Sequence, residues 1–170
     1  HVRFMLIFSP GPLFVLPCLI SLWLGLLLVA ALFSGPLTLG TLYVGVHYMV
    51  LGSALSVLGL MLLTFGVSAK AYAFSEELVE KDGWIDALLK VFTLERGLFV
   101  GGALVLVGAV IFVNILFQYI NGDRQLFNQL VYLHQSLAGA TLLLIGMQIA
   151  SSAFFLSLLE IARKHSGSGE

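Results

Sequence analysis

The side chains that could do chemistry in this sequence are few and poorly spaced for it. His47 and His134 lie in apolar surroundings with no carboxylate or third ligand nearby, which is a poor metal site, and the sequence reads them as interfacial histidines. The nearest thing to an acidic cluster is Glu76–Asp82, with no pocket implied around it. Cys18 is the only cysteine, so no internal disulfide can form, and a thiol there behaves as a small apolar residue. No nucleophile, base and acid fall at a spacing that would assemble a catalytic centre. Other polar groups within apolar surroundings include Ser53, Ser56, Thr64, Asn114, Gln118, Gln135, Gln148, Ser151 and Ser152. Asn114 and Gln148 are expected to hydrogen-bond between helices, each contributing about 1 kcal/mol or less. By itself this is not an enzyme.

The elements that must position these groups are plain. Four apolar runs, Leu13–Phe33, Leu42–Ser68, Leu98–Ile120 and Leu133–Leu159, contain no Lys, Arg, Asp or Glu. Each has at least 20 residues, and roughly 20 helical residues cross a hydrocarbon core. Charged residues are 10% of the chain and mean hydropathy is +1.05, against about 25% charged in soluble domains. The reading is an all-α integral membrane protein, a four-transmembrane-helix bundle with short juxtamembrane interfacial helices. One membrane domain covers 1–165, with spans at about 13–33, 42–68, 98–120 and 133–159 and a flexible tail at 166–170.

The basic residues orient it. Arg3, Lys70, Lys81, Lys90, Arg96, Arg163 and Lys164 fall at the termini and in the middle loop, and only Arg124 falls on the other side. Cations in short loops stay inside, so both termini and the loop 69–97 are expected to be cytoplasmic. Tyr43, Tyr48, Tyr119 and Tyr132 form an aromatic belt at the opposite surface. Residues 1–11 read as a juxtamembrane segment ended by Ser9-Pro10-Gly11-Pro12. In the loop, Ile85, Leu88, Leu89 and Phe92 recur at helical spacing, which predicts an amphipathic helix on the membrane surface or on a soluble domain. The chain starts at His1 without an initiator methionine, which suggests a preceding part.

Glycines recur every seventh residue. Gly45, Gly52, Gly59 and Gly66 lie in the second run, Gly101 and Gly108 in the third, and Gly139, Gly146 and then Ala153 in the fourth. Gly97 and Gly101 also form a GxxxG pair. Such seams let helix backbones approach closely in lipid, and a seven-residue period favours left-handed crossings. They read as packing positions and not as a phosphate cradle.

Three ordered stretches, Arg3–Pro10, Phe92–Gly97 and Ser152–Leu159, resemble the C-terminal membrane region of family 2 glycosyltransferases similar to dolichyl-phosphate and other polyprenyl-phosphate mannose or glucose synthases. The resemblance covers roughly residues 1–164. It implies a preceding cytoplasmic catalytic domain that binds a nucleotide sugar and a divalent metal, Mg or Mn, through Asp-x-Asp. That domain would pass a hexose to the phosphate of a polyprenyl carrier. This chain has no Asp-x-Asp, so none of the family's catalytic residues carries over, and no cofactor is expected in it.

What carries over is a membrane module whose basic rim meets a lipid phosphate: Arg3, Lys70, Arg96, Arg163 and Lys164. Plain positive-inside anchoring explains the same cations. Arg96 stands out because it sits beside Glu95 at a helix start, where a cation opposes the dipole unless it is partnered. The expected partners are membrane lipids, polyprenyl phosphate, the catalytic domain and a homo-oligomer, with no nucleic acid. Two other readings are a stand-alone flippase or transporter for lipid-linked sugar, with Asn114 and Gln148 lining its path, and a structural oligomerisation module built on the glycine seams.

Overall fold

The computed structural model describes residues 10–40, 42–75, 94–121 and 129–166. Helix α1 spans Pro10–Ala31. It opens on a proline, whose missing N–H is an orphan at that position anyway, and it contains Pro17. The helix therefore takes in Pro10 and Gly11, which the sequence assigned to the juxtamembrane segment, and it stops before Phe33. Leu32–Ser34 form a turn instead, with Gly35 N–H donating to the Leu32 carbonyl at 3.1 Å. Gly35 has φ 128°, a conformation that a side chain would strain.

A second departure follows. Leu42–Val44 is not the start of a membrane helix but strand β2, paired antiparallel with β1, Leu37–Leu39. Leu39 pairs with Leu42, leaving a two-residue turn that begins with Gly40 at φ 63°. A glycine able to take positive φ lets such a turn close, and the two strands then satisfy each other's backbone groups. Apart from this small hairpin the described residues are helical and irregular. Helix α2 spans Val46–Ser75, α3 spans Leu94–Asn121 and α4 spans Gln129–Ser166.

Three stretches are long and apolar enough to cross a membrane: Val46–Ala69 in α2, Glu95–Ile120 in α3 and Leu130–Leu158 in α4. The apolar part of α1, Val15–Ala31, is shorter. Packing runs α1 to α2 to α4 to α3, as a row more than a closed ring. α1 lies antiparallel on α2, with Gly25 against Gly52 and Ser56, and Gly59 against Cys18 and Leu22. α2 and α4 run parallel, joined at Ser53 with Thr141 and again at Thr64 with Gln148. α3 lies antiparallel on α4, with Gly97 on Ala153, Gly101 on Gly146 and Gly108 on Gly139. The hairpin end is closed by Val29, Leu32, Met49 and Ala138, with Val44 and Leu137 packed against them. Most outward side chains are exposed and apolar, among them Phe65 at 73% and Phe99 at 78%, as a lipid-facing surface requires.

Candidate functional site

The helix directions bring the end of α2, the start of α3 and the end of α4 to one end of the molecule. Lys70 directly follows the apolar stretch of α2, and Arg96 stands in the first turn of α3. Arg163 and Lys164 lie on the part of α4 that continues past Leu158, within about 9 Å of it along the axis. Register places two of these positions along α4. Thr64 meets Gln148, and six residues further along these parallel helices are Lys70 and Phe154. Gly97, next to Arg96, packs on Ala153. The shorter Ser53–Thr141 contact sets Lys70 nearer Leu158, so the backbones of Lys70 and Arg96 lie beside the last apolar turns of α4, within about two turns of each other. Arg3 lies outside the described residues, as do Lys81, Lys90, Arg124 and the amphipathic segment around Ile85–Leu89.

Glu95 and Arg96 are both exposed. Neighbouring helical residues do not face each other, so the two project in different directions from the first turn. Glu95 complements the positive end of the α3 dipole and Arg96 does not.

The glycine positions divide. A Cβ at Gly101 would come 2.6 Å from the Gly146 carbonyl oxygen, one at Gly108 would come 2.8 Å from that of Gly139, and one at Gly52 would come 2.7 Å from Leu28. Gly59 would meet the Leu22 backbone at 2.6 Å, and Gly139 would meet Phe112 at 3.2 Å. Two expected packing glycines do not serve this way. Gly45 precedes α2 and faces only the ring of Tyr43, while nothing lies within 4 Å of a Cβ at Gly66. The period of seven continues past the point where α1 and α2 touch. The sequence reading missed Gly25, whose Cβ would meet Gly52 and Ser56 at 2.5 Å. The signal was there, since Gly11, Cys18 and Gly25 also recur every seventh residue.

The polar groups rearrange as well. Among the described residues Asn114 does not bridge helices: its Oδ1 accepts from Gln118 Nε2 one turn on, at 3.0 Å. Gln118 in turn accepts from Tyr132 Oη of α4 at 3.1 Å. Gln148 does bridge, donating to Thr64 Oγ1 at 3.5 Å. Asn114 is exposed on α3 and Gln148 lies between α2 and α4, so the two do not line a common path. Thr141 Oγ1 lies 2.8 Å from Ser53 Oγ and 2.7 Å from the Leu137 carbonyl oxygen, so it can donate to the carbonyl while Ser53 donates to it. Ser21 Oγ donates to the Leu55 carbonyl at 3.1 Å and ties α1 to α2.

His47 is exposed, whereas His134, near the start of α4, is enclosed within the protein. It is fully buried, its Nδ1 donates to the Leu130 carbonyl at 2.6 Å, and its Nε2 has no partner among the described residues. It lies one turn before Ala138, under the packed end of α1 and α2. The four tyrosines are exposed at the hairpin end.

No curated protein and no solved structure matches this sequence. The family described as the glycosyltransferase family 2 C-terminal transmembrane region matches residues 67–160, from the last turns of α2 through the apolar length of α4. These residues are more than half of the chain, they include the whole α3–α4 glycine seam, and they begin just before Lys70. The protein is an integral membrane protein and belongs to the glycosyltransferase family 2 C-terminal transmembrane region family.

Proposed function

We propose that this chain anchors a family 2 glycosyltransferase through four membrane spans and presents a basic rim to the phosphate of a polyprenyl carrier. The observation that carries the reading is the meeting of three helix ends, with Lys70 on α2 and Arg96 on α3 beside the last apolar turns of α4 and Arg163 and Lys164 beyond them. A polyprenyl phosphate has a long apolar tail and one anionic head. Lipid-facing helix surfaces suit the tail, and guanidinium or ammonium groups at the membrane surface suit the head. The catalytic domain, with its nucleotide sugar and divalent metal, would act at this same end, which the positive-inside rule makes cytoplasmic together with both termini.

The test is sugar transfer by the complete enzyme in bilayers. Arg96→Ala should raise KM for the polyprenyl phosphate several-fold and leave KM for the nucleotide sugar unchanged, and Arg96→Lys should restore part of the loss. An unchanged carrier KM in Arg96→Ala and in a Lys70→Ala, Arg96→Ala double variant would show that the cations serve orientation alone.

A further inference from the structure

Helix α3 is held along one side. Gly97, Gly101 and Gly108 face α4, and no other described helix packs on the opposite side of α3. That side carries Phe99, Leu106, Val110, Val113 and Phe117, all exposed, and a shallow groove of about 370 Å³ runs along it between Leu106 and Phe117. From Leu106 on, these residues are spaced four, three and four apart, the period of a left-handed helix-pair seam.

Apolar side chains alone need no partner in lipid. Asn114, which lines the same groove, does. Its oxygen accepts from Gln118, and no described residue accepts from its amide nitrogen. It lies six residues inside Ile120, the end of the apolar stretch, or about 9 Å along the axis. A carboxamide N–H left facing hydrocarbon is unfavourable.

We infer that this face of α3 is where a second copy of the chain docks, α3 against α3, with the two Asn114 carboxamides hydrogen-bonded across the interface. Three observations select this occupant. A carboxamide carries both donor and acceptor, so it complements itself. Copies inserted in one orientation place Asn114 at the same depth by symmetry, whereas a lipid acyl chain offers no acceptor there. At the edge of the face, nothing lies within 4 Å of a Cβ at Gly102, which leaves room for a closely approaching helix. The dimer is independent of how the lipid phosphate is held.

The experiment uses the full-length protein in bilayers, with Cys18→Ala as background. Single cysteines replace Leu106 or Val113 on the seam, and Phe154, exposed on α4, serves as control. Oxidation should yield cross-linked dimers from the first two and little from the third. Förster transfer between labelled copies should show dimerisation about tenfold weaker in Asn114→Leu, as the loss of interhelical amide bonds implies. Gly102→Leu, whose Cβ meets no described atom within 4 Å, should abolish the dimer and leave the unfolding transition of the monomer intact. Seam positions that cross-link no better than Phe154 overturn the proposal. So does a dimer fraction unchanged in both variants, or a seam cysteine labelled by a lipid photoprobe without dimer formation.

Discussion

Gly101 and Gly146 exclude each other's side chains: a Cβ on either would sit 2.6 Å from the carbonyl oxygen of the other. The atoms in the way are backbone, so no rotamer change relieves the clash, and α3 must move away from α4. Gly101→Leu should destabilise the protein by about 3 kcal/mol or more, the upper range for overpacking. Gly66→Leu should stay within about 0.5 kcal/mol, because its surroundings are open. Unfolding in mixed detergent micelles measures both, and equal effects would mean that the seam does not hold the helices.

Ser53 and Thr141 hold α2 to α4 with the shortest interhelical side-chain bond among the described residues, at 2.8 Å. Such bonds contribute about 0.6 kcal/mol on average in membranes. A double-mutant cycle with Ser53→Ala and Thr141→Val should return a coupling of that order. A coupling of zero would place the two hydroxyls in separate local bonds.

His134 is a buried imidazole with one satisfied nitrogen and one orphan. Replacing such a group by an apolar one of similar size removes an unmet polar atom along with one local bond. His134→Leu should therefore change stability by less than about 1 kcal/mol, whereas His134→Lys should prevent folding by burying an unpaired charge. A loss above about 2 kcal/mol in His134→Leu would show that Nε2 has a partner in the membrane.

Orientation can be read with thiol reagents in a Cys18→Ala background. A cysteine replacing Thr38, in the hairpin, should react with a membrane-impermeant maleimide added outside intact cells. One replacing Ser166, at the end of α4, should react only after permeabilisation. The reverse pattern would invert the expected topology and remove the basic end from the cytoplasm.

Much of the fold was legible because lipid imposes simple demands. Charge-free runs must be helical there, since no water satisfies the backbone, and three of the four runs become stretches able to span. The hairpin at Leu37–Val44 escaped because Leu42-Tyr43-Val44 is as apolar as the helix that follows, and hydropathy does not separate a strand from a helix start. Asn114 was misread for a related reason. Composition shows that an amide sits in the run, but the face it occupies depends on which side of α3 meets α4. The burial of His134 escaped in the same way, since proximity to a helix end says nothing of which side chains are enclosed there.

The amino-acid sequence by itself determined that this protein lives in a membrane, that seven of its eight Lys and Arg residues fall in the terminal segments and the middle loop, and that glycines recur every seventh residue. These are one-dimensional properties, set by length, hydropathy and period. Only the tertiary structure decided which glycines touch, because contact depends on register between helices far apart in sequence. It joined Gly25 to Gly52 and Gly101 to Gly146, and it left Gly66 and Gly102 facing open space. It also brought Lys70 and Arg96 to the same end of the molecule beside α4, a relation that follows from α2 running parallel and α3 antiparallel to that helix.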